Sequence, residues 1–307
     1  MIYDVVMCIH EKDINISIIS IKSLIEFSNA KKIFLISSLE AIEKLKILIA
    51  NEYLNKIEFI DEDSVIDGIQ LESINKILKS RINSSARSGW YYQQFLKMAI
   101  ANHVNISDYY LIWDSDTVML GFMDFFDNKD RIIINVQKEN HLPYFVTLKS
   151  ILGIEKQVDF SFISEHFMIK TEYMRKLLNE LSDNSFNISW SEFILIMIDD
   201  NSLSGSGFSE YETYGNFVSF YFQDSFHIKK TKSTRHGKKL FGDKINKYAL
   251  FSLMLLNYKF ASFESWERVS YKSLIRNFLA KFLYLLCNAI GFHKNLVIKA
   301  NKIVNDK

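Results

Sequence analysis

Cysteine is almost missing from this chain: its 307 residues include only Cys8 and Cys287. Two distant thiols in apolar surroundings exclude a disulfide framework and a cysteine-rich zinc site. They are expected as buried or membrane-facing free thiols in a reducing, cytoplasmic setting. Proline occurs once, at Pro143 in the linker-like His141-Leu142-Pro143, and neither an internal repeat nor a low-complexity segment marks a domain boundary. A dominant charge is missing too. The formal net charge is +1, so whole-chain electrostatics do not direct the protein to nucleic acid, and no nucleic-acid partner is expected. No uninterrupted apolar run reaches the roughly 18–20 residues of a membrane span. The chain opens on a strand-like run rather than on a basic segment and a long apolar stretch, so no signal peptide is expected.

What is present is an ordinary globular composition, 48% hydrophobic and 24% charged, with length for one large α/β domain or two small ones. Residues 2–9 read as a buried strand, followed by the polar loop His10-Glu11-Lys12-Asp13. Residues 14–27 have helical spacing, 32–37 read as a second strand, 39–53 as an amphipathic helix, and 56–61 as a third strand that runs into Asp61, Glu62 and Asp63. The order β-α-β-α-β predicts a mainly parallel sheet flanked by helices, with ligand-binding loops along one edge. After a polar stretch at 80–88, a helix beginning near Gly89 leads to an apolar strand, Tyr109 to Trp113. Further strands are expected at 132–136 and 160–169, helices at 173–181 and 190–198, and a flexible loop at 202–207.

The strand ending at Trp113 stops at Asp114-Ser115-Asp116. Ligands of open α/β sheets bind at the carboxyl ends of the strands. Two carboxylates there can hold a divalent cation, and the cation a diphosphate. The same run fits the opening of a haloacid-dehalogenase-type phosphatase, with Asp114 as nucleophile and Asp199-Asp200 as the later acidic pair. Against that reading, three βα-type elements precede a motif that usually opens its domain. A third reading is a non-catalytic, membrane-associated binding module.

The end of the chain differs in character. From Arg268 to Lys307 there are eight basic residues and one acid, Asp306, so the preceding body is net acidic. Apolar residues fall at 274, 278, 282, 286 and 290, with a second row at 275, 279 and 283, while Arg276, Asn277, Lys281 and Asn288 take the other half of the helix. A broad apolar face flanked by Lys and Arg describes an interfacial membrane helix, with a core-packing helix that has a solvated basic face as the alternative. The simplest division is a body at 1–245 and a helical, basic amphipathic region at 246–307.

Four segments, in order, resemble a family of bacterial GT-A-like glycosyltransferases of polysaccharide biosynthesis, the group classed as DUF6492. They are residues 4–13, Gly89-Trp90-Tyr91-Tyr92-Gln93-Gln94-Phe95-Leu96-Lys97, residues 110–117, and Ser209-Glu210-Tyr211-Glu212-Thr213-Tyr214-Gly215. The resemblance implies a GT-A fold, a nucleotide-diphosphate sugar donor and a divalent metal, Mn2+ or Mg2+. It further implies hexosyl transfer to a surface glycan such as a lipopolysaccharide, O-antigen or capsule unit. The acceptor would be lipid-linked, and the enzyme peripheral on the cytoplasmic face of the inner membrane. Asp114 and Asp116 are then the metal ligands, Asp116 the more direct, with Asp114 and Ser115 also touching the donor. His236, with His227 as its rival, is expected as the third ligand. His10, Lys12 and Asp13 are expected at the base and ribose, and Trp90, Gln94 and Lys97, on one helix face, along the donor pocket. An inverting transferase needs a carboxylate to take the acceptor proton. Glu210 is the first choice, Glu212 the reserve, and Glu165-His166 a second candidate.

Overall fold

The computed structural model describes residues 1–66 and 69–305; Asp306 and Lys307, at the end of the basic tail, lie outside them. The chain begins with β1 (Asp4–Cys8), α1 (Ile14–Phe27), β2 (Ile33–Ser37), α2 (Leu39–Leu48), β3 (Ile57–Asp61) and α3 (Leu71–Ile82). Next come α4 (Ser88–Ala99), β4 (Tyr109–Trp113), β5 (Thr117–Met119), β6 (Ile132–Ile134), α5 (Leu142–Leu152), β7 (His166–Lys170) and α6 (Thr171–Asp183). Then follow α7 (Trp190–Met197), α8 (Asp200–Leu203), α9 (Glu210–Tyr221), β8 (Phe226–Ile228), β9 (Ser233–Thr234) and α10 (Gly237–Phe241). The last elements are α11 (Lys247–Leu255), β10 (Phe260–Ser262), α12 (Ser273–Ala289) and α13 (Lys294–Asn305).

The core is a five-stranded sheet of order β3-β2-β1-β4-β7, parallel except for β7 at one edge. Its strands are short apolar runs because helices cover both faces. The fold is thus mixed α/β with a mainly parallel sheet, as the β-α-β-α-β pattern predicts. The chain moves outward from β1 through β2 to β3, then returns to place β4 on the other side of β1. That reversal opens a crevice between the carboxyl ends of β1 and β4, where an open α/β sheet receives its ligand. A small second sheet, β5-β10-β9, lies beside the crevice, and β6 pairs with β8.

Several expectations change in detail. The helix expected over 39–53 ends at Leu48, and a 3-10 turn over Asn51–Lys56 delivers the chain to β3. The strand expected over 160–169 starts only at His166. Before it, Ser161 makes an isolated bridge to Gln137, and Phe162 is held by α9 rather than by a neighbouring strand. Pro143 stands in the first turn of α5, not in a linker; no amide hydrogen is needed there, and its fixed φ suits a helix start.

The C-terminal helices dock through a face of small and polar residues. Ser273, Ala280, Tyr284 and Cys287 of α12 are buried, and the helix packs on α10, α11 and α13. Asn277 donates to Phe241 O (2.5 Å) and Tyr284 bonds Asn301 (3.0 Å). From α13, Lys299 and Lys302 reach Glu26 on α1 (3.2 and 2.9 Å). The small and polar stripe of α12 is therefore inside, and its large apolar stripe faces outward: Leu274, Phe278 and Phe282 are 78%, 70% and 60% exposed. Among the described residues, no helix is long and apolar enough to cross a membrane.

A carboxylate-rich candidate active site

The crevice holds a cavity of about 420 Å3, and the Asp-x-Asp turn forms its floor. Trp113 is fully buried, and its Nε1 donates to Thr117 O (2.8 Å). Thr117 N donates to Asp114 O (3.0 Å) and Ser20 Oγ to Thr117 O (2.5 Å), which doubles the chain back sharply after β4. The turn is clamped from both sides. Asp114 N donates to Glu165 O (3.1 Å) just before β7, and Phe263 N donates to Asp116 O (2.9 Å) just after β10.

Helix α4 supplies one wall. Lys97 is buried, and its Nζ donates to Asp114 Oδ1 and to Glu210 Oε1, both at 3.0 Å. These carboxylates hold the Lys97 ammonium well above the usual lysine range, against the desolvation that opposes it. Gln94 faces the same way, but Glu210 N donates to its Oε1 (3.1 Å), so the amide positions Glu210. Trp90 lines the cavity mouth beneath the Arg87 guanidinium, 4.1 Å from the ring centre. The neighbouring tyrosines hold the surroundings: Gly207 N donates to Tyr91 Oη (3.2 Å), and Tyr92 Oη donates to Glu62 O (2.9 Å).

The segment Ser209–Gly215, read from sequence beside a flexible loop, is the first turns of α9, and each residue has a distinct job. Ser209 caps the helix, its side chain accepting from Glu212 N (3.3 Å). Glu210 enters the cavity, and the Tyr211 ring lies 5.1 Å from Lys97 Nζ. Lys170 N donates to Tyr214 Oη (2.9 Å), which ties α9 to the edge strand β7. Gly215 admits Phe162: a Cβ there would sit 2.3 Å from that ring. Glu212 turns away from the cavity, accepting from Ser161 Oγ (2.5 Å) and Asn216 Nδ2 (3.3 Å), so its carboxylate is a structural tie.

The charge balance of the cavity is one-sided. Asp13, Asp114, Asp116, Glu139, Glu165, Glu210 and Glu264 line it against two basic side chains, Lys97 and Arg235. Arg235 Nε sits 3.1 Å from Glu165 and 3.2 Å from Glu264, as Lys97 sits between Asp114 and Glu210. Burial, then Asp114, Glu264 and Asp13, push the Asp116 carboxyl up to about 7. Burial also raises the Glu165 carboxyl, with Arg235 opposing. Burial pushes the Cys8 thiol up to about 12, so Cys8 lines the cavity without being a nucleophile at neutral pH. An excess of carboxylates with no imidazole among them is a donor set for a hard cation that takes oxygen ligands. Among the described residues, no three His, Cys, Asp or Glu side chains are arranged as a cage for a metal ion.

The structure therefore brings Asp13, Trp90, Gln94, Lys97, Asp114, Ser115, Asp116 and Glu210 into one cavity. It leaves others outside. His10 is exposed and caps a short turn, accepting from Lys12 N (3.2 Å), and Lys12 is exposed beside it. His236 Nδ1 is 2.6 Å from Glu267 Oε1, and its ring lines a neighbouring cavity instead. His227 pairs with Arg131 (3.3 Å) beside Asp127. Asp199 caps α8 and Asp200 pairs with Arg81 (2.6 Å), so the second acidic pair that a dehalogenase-type phosphatase requires is not at the cavity. Glu264 is a cavity residue without a sequence signal, two residues past the small strand β10. Arg235, which the sequence offers only as a basic neighbour of His236 that could meet phosphate, lines the cavity where His236 does not.

His166 is a core residue rather than a partner for Glu165. It packs on Trp113 and Phe260, at ring distances of 5.3 and 4.8 Å, and its Nδ1 has no hydrogen-bond partner among the described residues. Burial lowers its pKa to about 4. An unfolded histidine titrates near 6.5, so between those values the unfolded chain binds the extra proton. Stability is full above pH 6.5 and falls as pH drops toward 4, by about 2–3 kcal/mol from this residue. Urea unfolding at pH 7.5 and 4.5 should record that loss in the wild type, and His166→Phe should remove that component.

These features define a mainly parallel α/β protein with a polar, acidic crevice at the topological switch point. The chain belongs to the DUF6492 family, a family of unknown function, whose model matches residues 6–249. No curated protein matches the chain. Among solved structures it is similar to mouse xyloside xylosyltransferase 1, at 14% identity and a TM-score of 0.49, over 86% of this chain and 98% of that one. It is also similar to the galactosyltransferase LgtC in complex with donor and acceptor sugar analogues, at 10% identity and a TM-score of 0.46, over 91% and 95% of the two chains. A third is the bifunctional glycosyltransferase WbbM, at 13% identity and a TM-score of 0.45, over 90% of this chain and 49% of that one. Likenesses this distant do not carry a function.

Proposed function

We propose that the protein is a metal-dependent glycosyltransferase of GT-A type, moving a sugar from a nucleotide-diphosphate sugar to a hydroxyl of a bacterial surface glycan. The observation that carries this reading is the cavity: Asp114 and Asp116 at the switch point, within a wall of carboxylates that two basic side chains do not balance. Asp116, with Asp114 beside it, would hold Mn2+ or Mg2+. The bound cation would act as a Lewis acid toward the departing nucleoside diphosphate. Lys97 holds Asp114 and Glu210 in fixed positions. Glu210 takes the proton of the acceptor hydroxyl as that oxygen attacks the anomeric carbon, and Glu165 is the second carboxylate placed for this step. Trp90, at the mouth, offers an apolar plate to the donor. The test is turnover. The purified chain with Mn2+ should cleave or transfer from one member of a nucleotide-sugar panel and leave p-nitrophenyl phosphate intact. Phosphatase turnover that Asp114→Asn removes, without nucleotide binding, would sink the proposal.

We further propose that residues 1–245 form the catalytic body and that the region 246–307, whose first elements pack into that body, presents a membrane-docking face. The occupant is an anionic lipid surface. The outward stripe of Leu274, Phe278 and Phe282 is flanked by Arg268, Lys272, Arg276 and Lys281, with no acid between Glu267 and Asp306 to repel lipid phosphates. Peripheral docking of this kind suits a lipid-linked acceptor. The full chain should sediment with phosphatidylglycerol vesicles. The triple variant Leu274→Glu, Phe278→Glu, Phe282→Glu should bind them at least about tenfold more weakly at unchanged melting temperature. A wild-type chain that stays in the supernatant contradicts the docking.

A further inference from the structure

A second cavity, of about 810 Å3, adjoins the first, and Glu165 and Arg235 line both. Its charge has the opposite sense. Lys138, Lys230 and His236 stand on its walls with Arg235, and the acids are Asp159 and Glu165, the latter 3.1 Å from Arg235. Lys138 and Lys230 are exposed, and no carboxylate pairs with either among the described residues. The same wall continues toward the outward apolar helix. His236 is followed directly by α10, which packs on α12, and Lys238 Nζ on α10 donates to Ser265 O (3.0 Å), in the segment between β10 and α12. Phe160 and Val136 add apolar surface to the cavity. The two cavities thus share one ion pair, Glu165–Arg235; the first is lined mainly by carboxylates, the second by cations, and its His236 adjoins the helix α10 that packs on α12.

We propose that this second cavity is the acceptor subsite and that it takes the phosphate of a lipid-linked glycan acceptor. The inference rests on the transferase reading above. Lys138 and Lys230 receive the phosphate oxygens as charge-assisted donors. The glycan then extends past Glu165 and Arg235, so that its hydroxyl enters the first cavity. The lipid chain leaves on the α12 side. Neutral glycosides of the same chain length lack the group that the lysines bind.

The test uses the full chain with Mn2+ and three probes, each below its micelle concentration where it has one: decyl phosphate, decyl β-glucoside and inorganic phosphate. Titration calorimetry should find decyl phosphate bound at least about tenfold more tightly than decyl glucoside. Lys138→Ala and Lys230→Ala should each weaken decyl phosphate by about tenfold and leave the glucoside unchanged. Equal affinity for phosphate and glucoside, or insensitivity to both lysine substitutions, overturns the subsite. Inorganic phosphate bound as tightly as decyl phosphate overturns the lipid-linked acceptor in favour of a soluble anion. Nucleoside diphosphate is titrated on the same samples. If it does not bind even the wild type, the transferase reading itself fails; if it binds wild type and both variants alike while decyl phosphate shows no preference, only the subsite fails.

Discussion

Replacing Lys97 with methionine should destabilise the protein by about 3–5 kcal/mol, because removal of one partner leaves buried charge uncompensated. The Lys97 and Glu210 side chains are only 8% and 7% exposed, so water does not reach the ion pair freely. Methionine fills much of the volume but offers no donor, and two carboxylates then face each other in the crevice. Adding Glu210→Gln to Lys97→Met should recover part of the loss, since the double variant removes the stranded charge. Denaturant unfolding of the four members of that cycle measures the coupling. Additive single effects would mean that Lys97 and Glu210 do not pair.

Asp116→Asn should move stability and function in opposite directions. In the metal-free protein the Asp116 carboxyl titrates at about 7, against roughly 3.9 in an unfolded chain. Between those values the native state keeps a proton that the unfolded state has released. Stability from this group is therefore full below pH 4 and falls as pH rises through 7. Asparagine does not ionise, so at pH 8 the metal-free variant should be more stable than wild type, on the order of 2 kcal/mol once discounted for the water that still reaches the turn. The same change should abolish the Mn2+-induced rise in melting temperature and reduce transfer by at least about 10^2–10^3-fold. A variant that keeps the wild-type response to Mn2+ would remove Asp116 from the proposed cation site.

Much of the site follows local patterns, and those were legible in the sequence. The apolar run Tyr109–Trp113 ends on its two acids whatever lies around it, and helix periodicity alone puts Gln94 and Lys97 on one face of α4. What those side chains hold was not legible. Gln94 meets a backbone amide more than a hundred residues away, and only the tertiary fold makes it a positioning group. Glu210 and Glu212 look equivalent as a sequence pair, yet helix geometry turns them apart, one to the cavity and the other to Ser161 and Asn216. Glu264 was missed for the same reason. Glu264 reaches the cavity because β10 pairs antiparallel with β5, a contact of high sequence separation without a local signature. His236 sits one residue beyond Arg235, close in sequence to the cavity, and its imidazole goes to Glu267. The periodicity of α12 marked its broad apolar face, and the interfacial reading left that face outward, where it lies; that the stripe of small and polar residues would pack on the body had no local signature.

On this reading the acidic crevice binds a nucleoside diphosphate through a divalent cation. Titration calorimetry of the purified chain with UDP and the other nucleoside diphosphates, with Mn2+ and with chelator, decides the matter. Saturable binding of one nucleotide is expected only when Mn2+ or Mg2+ is present, and that binding should be lost in Asp116→Asn. Absence of nucleotide binding with either metal, or nucleotide binding unchanged by chelator, would rule out a cation-bridged diphosphate in the crevice.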